Sequence, residues 1–222
     1  MATSGDIDFT LTARSVIQRA YEVLGVYGAS DTVEADDAEL ARVLLNAMLK
    51  SWQSDGCNLW REEEDTLTVP VSTASVTMDP RVIDVLEARV EMSSTYERPL
   101  ARWEWGEYVA VPNKAAPGVP AAFVLRKERA QTVFRVWPVP TAETTIHFTA
   151  ARVIEDVTAL DDELDLPQEW LECVIYNLAA KLAIPHARVG TPEAQAAKQE
   201  GAALYAQMRD MDRPASVFFQ PG

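Results

Sequence analysis

LPQEWLECVIYNLAAKLAIP, residues 166–185, is the stretch on which the fold turns. Pro167 suits a first helical position, where its missing N–H has no intrahelical partner to lose. The acidic run DDELD (161–165) and Glu169 complement the positive end of a helix dipole. Trp170, Leu171, Val174, Ile175, Leu178, Ala179 and Leu182 then recur at steps of one, three or four, which gives an apolar face wide enough to pack on two neighbours. Pro185 ends the pattern. A helix of this width needs partners, so the rest of the chain is searched for other amphipathic segments.

Two lie upstream. Thr12 is a candidate N-cap, and Val16, Ile17, Ala20, Tyr21 and Leu24 repeat at helical spacing up to Gly25. After the loop VYGASDTVE, an apolar stripe runs through Ala38, Leu40, Ala41, Leu44, Leu45, Met48, Leu49 and Trp52. Asp36, Asp37 and Glu39 stand in its first turn, and Asp55-Gly56 marks its end. One lies downstream, where Thr191-Pro192-Glu193 starts an Ala-rich helix reaching about Met211, with a thin stripe of Leu204, Met208 and Met211. Beyond it comes RPASVFFQPG (213–222).

Between these pairs the period changes from helical to alternating, with Thr, Val and aromatic residues bounded by Pro and Gly. Strands are expected at Val82 to Met92, Ala121 to Arg129, Thr132 to Trp137 and Thr144 to Arg152. In the last, Ile146, Phe148 and Ala150 share one face while Thr145, His147 and Thr149 share the other. A short helix is expected near Trp103 to Val111, closed by Pro112 and the Pro117-Gly118 turn.

The expected class is α+β: an antiparallel helical bundle from N- and C-terminal helices, a central antiparallel β-rich insertion and an extended C-terminal tail. The expected boundaries are 1–58 for the first helix pair, 59–160 for the insertion, 161–212 for the second pair and 213–222 for the tail.

Charge narrows the function. The 20 Lys and Arg against 34 Asp and Glu leave a formal −14, which repels the phosphate backbone that a nucleic-acid binder must neutralise. Cys57 and Cys173 match no metal-ligand spacing and suit a compartment in which thiols stay reduced. The start MATSGDIDFTLTARS has no basic region followed by an apolar run, so no export signal is expected. No apolar stretch approaches the roughly 20 residues of a membrane span, so no membrane partner is expected.

Chemistry is sought and not found. His147 and His186 have no Cys or carboxylate at ligand spacing, and the chain carries no GxSxG, phosphate-binding loop or GxGxxG. No catalytic residue, metal or cofactor is expected. The acids Glu62, Glu63, Glu64 and Asp65 raise the alternative of a cell-wall hydrolase, which needs two carboxyls held about 5 to 9 Å apart around a sugar; consecutive solvated acids read more simply as a charged loop, and DDELD as a helix-start cluster. A further alternative is a soluble bacterial interaction module. Of the six tryptophans, Trp103 and Trp105 stand in a polar stretch and are expected, with Trp170, at a subunit interface.

The segment ARSVIQRAYEVLGVYGASDTVEADDAELARVLLNAMLKSWQSDGCNLW (13–60) resembles the opening of the head-to-tail adaptor proteins of short-tailed bacteriophages, also called head-completion or packaged-DNA-stabilisation proteins. The resemblance rests on Leu24-Gly25, on Leu49 with Trp52, and on Asp55-Gly56. PGVPAAFVLRKERAQTVFRVWPVP (117–140) is similar to the family's Gly-x-Pro, strand, turn, strand, Pro-x-Pro arrangement through Gly118, Pro120, Pro138 and Pro140. Leu166, Pro167 and Trp170 match its Leu-Pro-x-x-Trp helix start. The resemblance implies a ring, usually of twelve copies, at the head–tail junction of a virion made in the host cytoplasm. Such a ring binds the portal protein after packaging, retains the genome, lets DNA pass its lumen without specific binding, and seats a tail nozzle or tail tube protein. Arg213 with Val217, Phe218 and Phe219 is the expected portal-docking tail, since exposed apolar side chains call for a partner's cover.

Overall fold

The computed structural model describes residues 9–55, 61–129 and 131–211, so Cys57, Trp60 and the expected docking residues Arg213, Val217, Phe218 and Phe219 lie outside the described residues. The class is α+β. The chain forms two compact units: residues 61–153, and the remainder on either side of them.

The helical unit holds α1 (Ala13–Val23), α2 (Ala35–Ser54) and two later helices from the C-terminal part of the chain. Thr12 caps α1 by accepting the Ser15 N–H. At the other end Gly25, at φ +63°, donates to Glu22 and Val26 donates to Tyr21. This double return closes the last carbonyls of α1 and needs a left-handed residue, which glycine supplies without strain. Tyr21, Leu45, Met48, Trp52, Trp170, Val174 and Leu178 meet in one core.

The helix expected at 166–185 is shorter. Pro167 is extended (φ −59°, ψ 149°) and precedes a 3₁₀ turn, Gln168–Trp170. The α-helix itself, α4, is Leu171–Leu182, and α5 is Pro192–Met211. The DDELD run is not a helix start. Asp162 instead accepts the N–H groups of Thr158 (2.9 Å) and Ala159 (2.7 Å), and its own carbonyl takes the Ala13 N–H at 2.8 Å. Asp165 accepts the Glu155 N–H at 3.0 Å. These carboxylates close a loop, and a loop's N–H groups bind an acid as well as a helix terminus does.

The second unit is a pair of four-stranded sheets. One has the order β1-β8-β3-β4, from Glu62–Val69, Thr144–Arg152, Val82–Ser93 and Tyr96–Pro99. The other is β2-β7-β6-β5, from Ser75–Thr77, Thr132–Trp137, Ala122–Lys127 and Ala101–Arg102. Pairing is antiparallel except for β5 with β6. Ile146, Phe148 and Ala150 are buried as the alternation predicts, and they join Val85 and Val90 from β3 and Phe123 and Phe134 from the other sheet. The rings of Phe123 and Phe134 stack at 5.1 Å. The short helix α3 is Trp105–Ala110, fixed by a reciprocal cap between Glu104 and Glu107.

Two boundaries move. Residues 61–65, expected as a charged loop, are Arg61 at the edge and the start of β1. Residues 154–160, expected in the insertion, belong to the helical unit. There one face of α2 holds them. Asn46, Arg42 and Lys50 bond the backbone of Val157 and Ile154, and Gln53 accepts the Ile154 N–H at 3.1 Å.

Candidate functional site

The acids of β1 do not converge. Along a strand alternate side chains point to opposite faces, so Glu62 and Glu64 are separated from Glu63 and Asp65. All four are exposed. Glu64 reaches Arg89 at 3.2 Å and Glu63 reaches Arg152 at 3.7 Å. A general acid needs an apolar pocket that raises its pKa, and these sites offer solvent and arginines. His147, on β8, lies 3.3 Å from Glu91 and 3.7 Å from Glu97 in the same exposed charge array. Among the described residues no group of three or more His, Cys, Asp or Glu side chains is placed to hold a metal ion, and no helix is long and apolar enough to cross a membrane.

The three tryptophans singled out for a subunit interface differ. Trp103 is half-buried and stacks on Trp137 at 5.3 Å, while the Trp137 indole N–H donates to the Asn113 carbonyl. Trp105 is 41% exposed, with the Arg126 guanidinium 4.9 Å from its ring. Trp170 is a correction: at 4% exposure it is core, 5.6 Å from Trp52 and 6.2 Å from Tyr205. An indole so enclosed by its own chain has almost no surface left for a neighbour.

A partly buried polar cluster around the buried Tyr21 joins the loops after α1 and after α4. Tyr21 donates to the Asp37 carbonyl at 3.0 Å, Tyr27 donates to the Asp37 carboxylate at 2.6 Å, and His186 Nε2 lies 3.2 Å from the Tyr21 hydroxyl. Because the Tyr21 proton is directed at Asp37, the Nε2–H of His186 is the donor in that last bond. Burial first, then the charges of Asp37 and Tyr27, holds the Tyr21 phenol protonated far above its usual range. In sequence His186 has no partner at ligand spacing, and nothing there marks the Tyr21 hydroxyl 165 residues away.

The helical unit carries several surface clefts. Phe9, 59% exposed, stands between two adjoining clefts of about 600 and 510 Å³ that also share Leu11 and Leu171; Glu172 and Arg19 line the first, Glu163 the second. At the other end of α4 a cleft of about 380 Å³ is lined by Lys181, Ala183, Ile184, Val189, Ala194 and Lys198 among others. Ile184 and Val189 are 69% and 61% exposed. Charge is unequal too: residues 61–153 carry 11 basic and 13 acidic side chains, whereas the helical unit carries nine and 21. Nearly all of the chain's net negative charge, −12 of −14, therefore resides there.

A family model described as SU10 adaptor protein matches residues 11–219. None of the curated proteins matches. Among solved structures, one described as "Neck of empty GTA particle computed with C6 symmetry" is similar at 15% identity and a TM-score of 0.27, over 77% of this chain and 81% of that chain.

Proposed function

The chain belongs to the SU10 adaptor protein family, and from that membership we propose that it is a structural protein of a bacteriophage virion, a head-to-tail adaptor at the head–tail junction. The match over residues 11–219 carries this reading, and it agrees with the sequence resemblance described above. In the proposed assembly twelve copies, made in the host cytoplasm, form a ring on the portal protein once DNA is packaged. The ring holds the genome in and seats a tail nozzle or tail tube protein, without catalysis or cofactor. The formal charge of −14 supports a lumen wall past which DNA slides rather than one that grips it.

Residues 213–222 are the proposed portal anchor. Burying each Phe of the Val217-Phe218-Phe219 run stabilises by roughly 1.5–3 kcal/mol, and a ring multiplies such a contact through effective concentration. The test mixes purified protein with portal rings of the same phage and images the product. A twelve-fold collar is expected from the full chain, and truncation of 214–222 should abolish it while leaving thermal unfolding unchanged. A full chain that ignores the portal sinks the adaptor reading. A truncated chain that binds as well as the full one sinks the anchor alone.

A further inference from the structure

We propose that the cleft at the C-terminal end of α4 receives the Phe9 surface of a second copy of this chain, and that this pairing is the head-to-tail contact of the ring. The inference rests on the adaptor reading above and adds to it the two surfaces that meet.

Charge selects the occupant. Two helical units with nine basic and 21 acidic side chains each repel one another unless the cations of one are met by acids of the other. Several cations are already engaged within the chain: Arg14 by Asp161 at 3.1 Å, Arg42 by Glu39 at 2.7 Å and Lys50 by Asp156 at 2.9 Å. The Arg209 guanidinium lies 5.9 Å from the centre of the Tyr205 ring. Lys181 and Lys198 have no ion-pair partner among the described residues, and both line one cleft. That cleft also holds Ile184 and Val189, two of the most exposed apolar side chains described. It thus asks for an apolar group flanked by carboxylates.

The chain supplies that chemistry at the opposite end of the same helix. Phe9 projects with 59% of its surface exposed, held by its N–H on the Gln168 amide oxygen at 3.2 Å. Glu163 and Glu172 line the two clefts that flank it, with Arg19 the cation on that side. The 12 residues of α4 separate the two surfaces by about 18 Å at 1.5 Å per residue. Two different patches on one chain, each fitting the other, make a heterologous contact, and repetition of such a contact closes into a ring when the rotation per copy divides a full turn.

Cysteines at 9 and 184 test the geometry. Phe9→Cys and Ile184→Cys are placed in separate full-length chains that also carry Cys57→Ser, and are oxidised alone and mixed, at rising concentration and on portal rings. A disulfide-linked dimer should form only in the mixture. A 9–9 or 184–184 product from either chain alone overturns the head-to-tail pairing. Charge reversal gives a second readout. Lys181→Glu with Lys198→Glu, and separately Glu163→Lys with Glu172→Lys, should each raise the half-association concentration at least about ten-fold, equivalent to about 1.4 kcal/mol, with unchanged melting. Mixing the two reversed chains should restore assembly, because each altered face then meets its opposite. Rings that form on portal without the 9–184 link overturn this inference and leave the adaptor reading standing. Absence of any ring, alone or on portal, overturns both.

Discussion

Asn46 and Val157 exchange two hydrogen bonds of 2.9 Å each, the side-chain amide donating to the Val157 carbonyl and accepting from its N–H. The pair imitates one rung of a β ladder with a side chain in place of a strand. With Arg42, Lys50 and Gln53 on the same face of α2, it satisfies the backbone of a segment that has no regular structure of its own.

Removing Asn46 should therefore cost more than removing its neighbour. Asn46→Ala leaves the N–H of Val157, a residue 2% exposed, without its partner, and an orphaned buried donor costs about 1–3 kcal/mol. The carbonyl keeps Arg42 at 2.8 Å. Arg42→Met removes only one of two donors to that carbonyl plus a surface ion pair, so a loss below about 1 kcal/mol is expected. Urea unfolding of the two variants checks the ranking, and equal losses refute it.

Gly201 faces Asn177 across the α4–α5 contact. A Cβ there would stand 3.0 Å from the Asn177 side chain and 3.1 Å from its backbone nitrogen, and that side chain is fixed by bonds to the Cys173 and Gly201 carbonyls. Gly201→Ala gains about 1 kcal/mol of helix propensity but overpacks a close contact at about 1–3 kcal/mol. A net destabilisation of about 1 kcal/mol is expected in calorimetry; a rise in Tm would show that the helices separate freely.

Leu178 is fully enclosed in the helical core and Trp170 nearly so. Replacement of either by Ala should cost about 2–5 kcal/mol, a large share of an ordinary stability margin. Chemical denaturation reads this directly. A Leu178→Ala midpoint within error of the parent would place the side chain outside the core.

Stability should fall on both sides of neutrality. Asp162, bonded by the Ala159 N–H and by the side chain and N–H of Thr158, has its folded pKa lowered. Its contribution is present above the unfolded value of about 3.9 and is lost as pH falls through the folded value. Tyr21 has its pKa raised, so its contribution is present below about 10 and is lost as pH rises through the folded value. Asp162→Asn should flatten the acid limb of a stability–pH curve and Tyr21→Phe the alkaline limb. Parallel curves for parent and variants would contradict both assignments.

Periodic elements were legible and unperiodic ones were not. The alternation in Thr144–Arg152 and the stripe in α2 each repeat a burial pattern several times over, so the core residues Ile146, Phe148, Leu45 and Met48 follow from spacing. Glu62–Asp65 escaped because the first four residues of this edge strand are all charged and exposed, and the alternation starts only at Leu67 and Val69. The segment 154–160 escaped for another reason: its partners are side chains of α2 more than 100 positions earlier. Trp170 read as a contact for a neighbour, although the residues enclosing it, Trp52 and Tyr205, come from both ends of the chain. The basic cleft left no trace in sequence, since Lys181 and Lys198 sit on separate helices.

The β unit begins and ends on adjacent strands, with Glu62 in register with Ala151. Residues so paired lie about 5 Å apart. Within the helical unit, Gln53 near the end of α2 bonds the N–H of Ile154, so the last helix before the β unit lies beside the first residue after it. Joining them through a short turn would add little loop-closure entropy, which grows only with the logarithm of loop length. The sandwich is built as a cassette on a two-strand stem, and a descendant could lengthen, trim or exchange it while keeping the helical chassis intact.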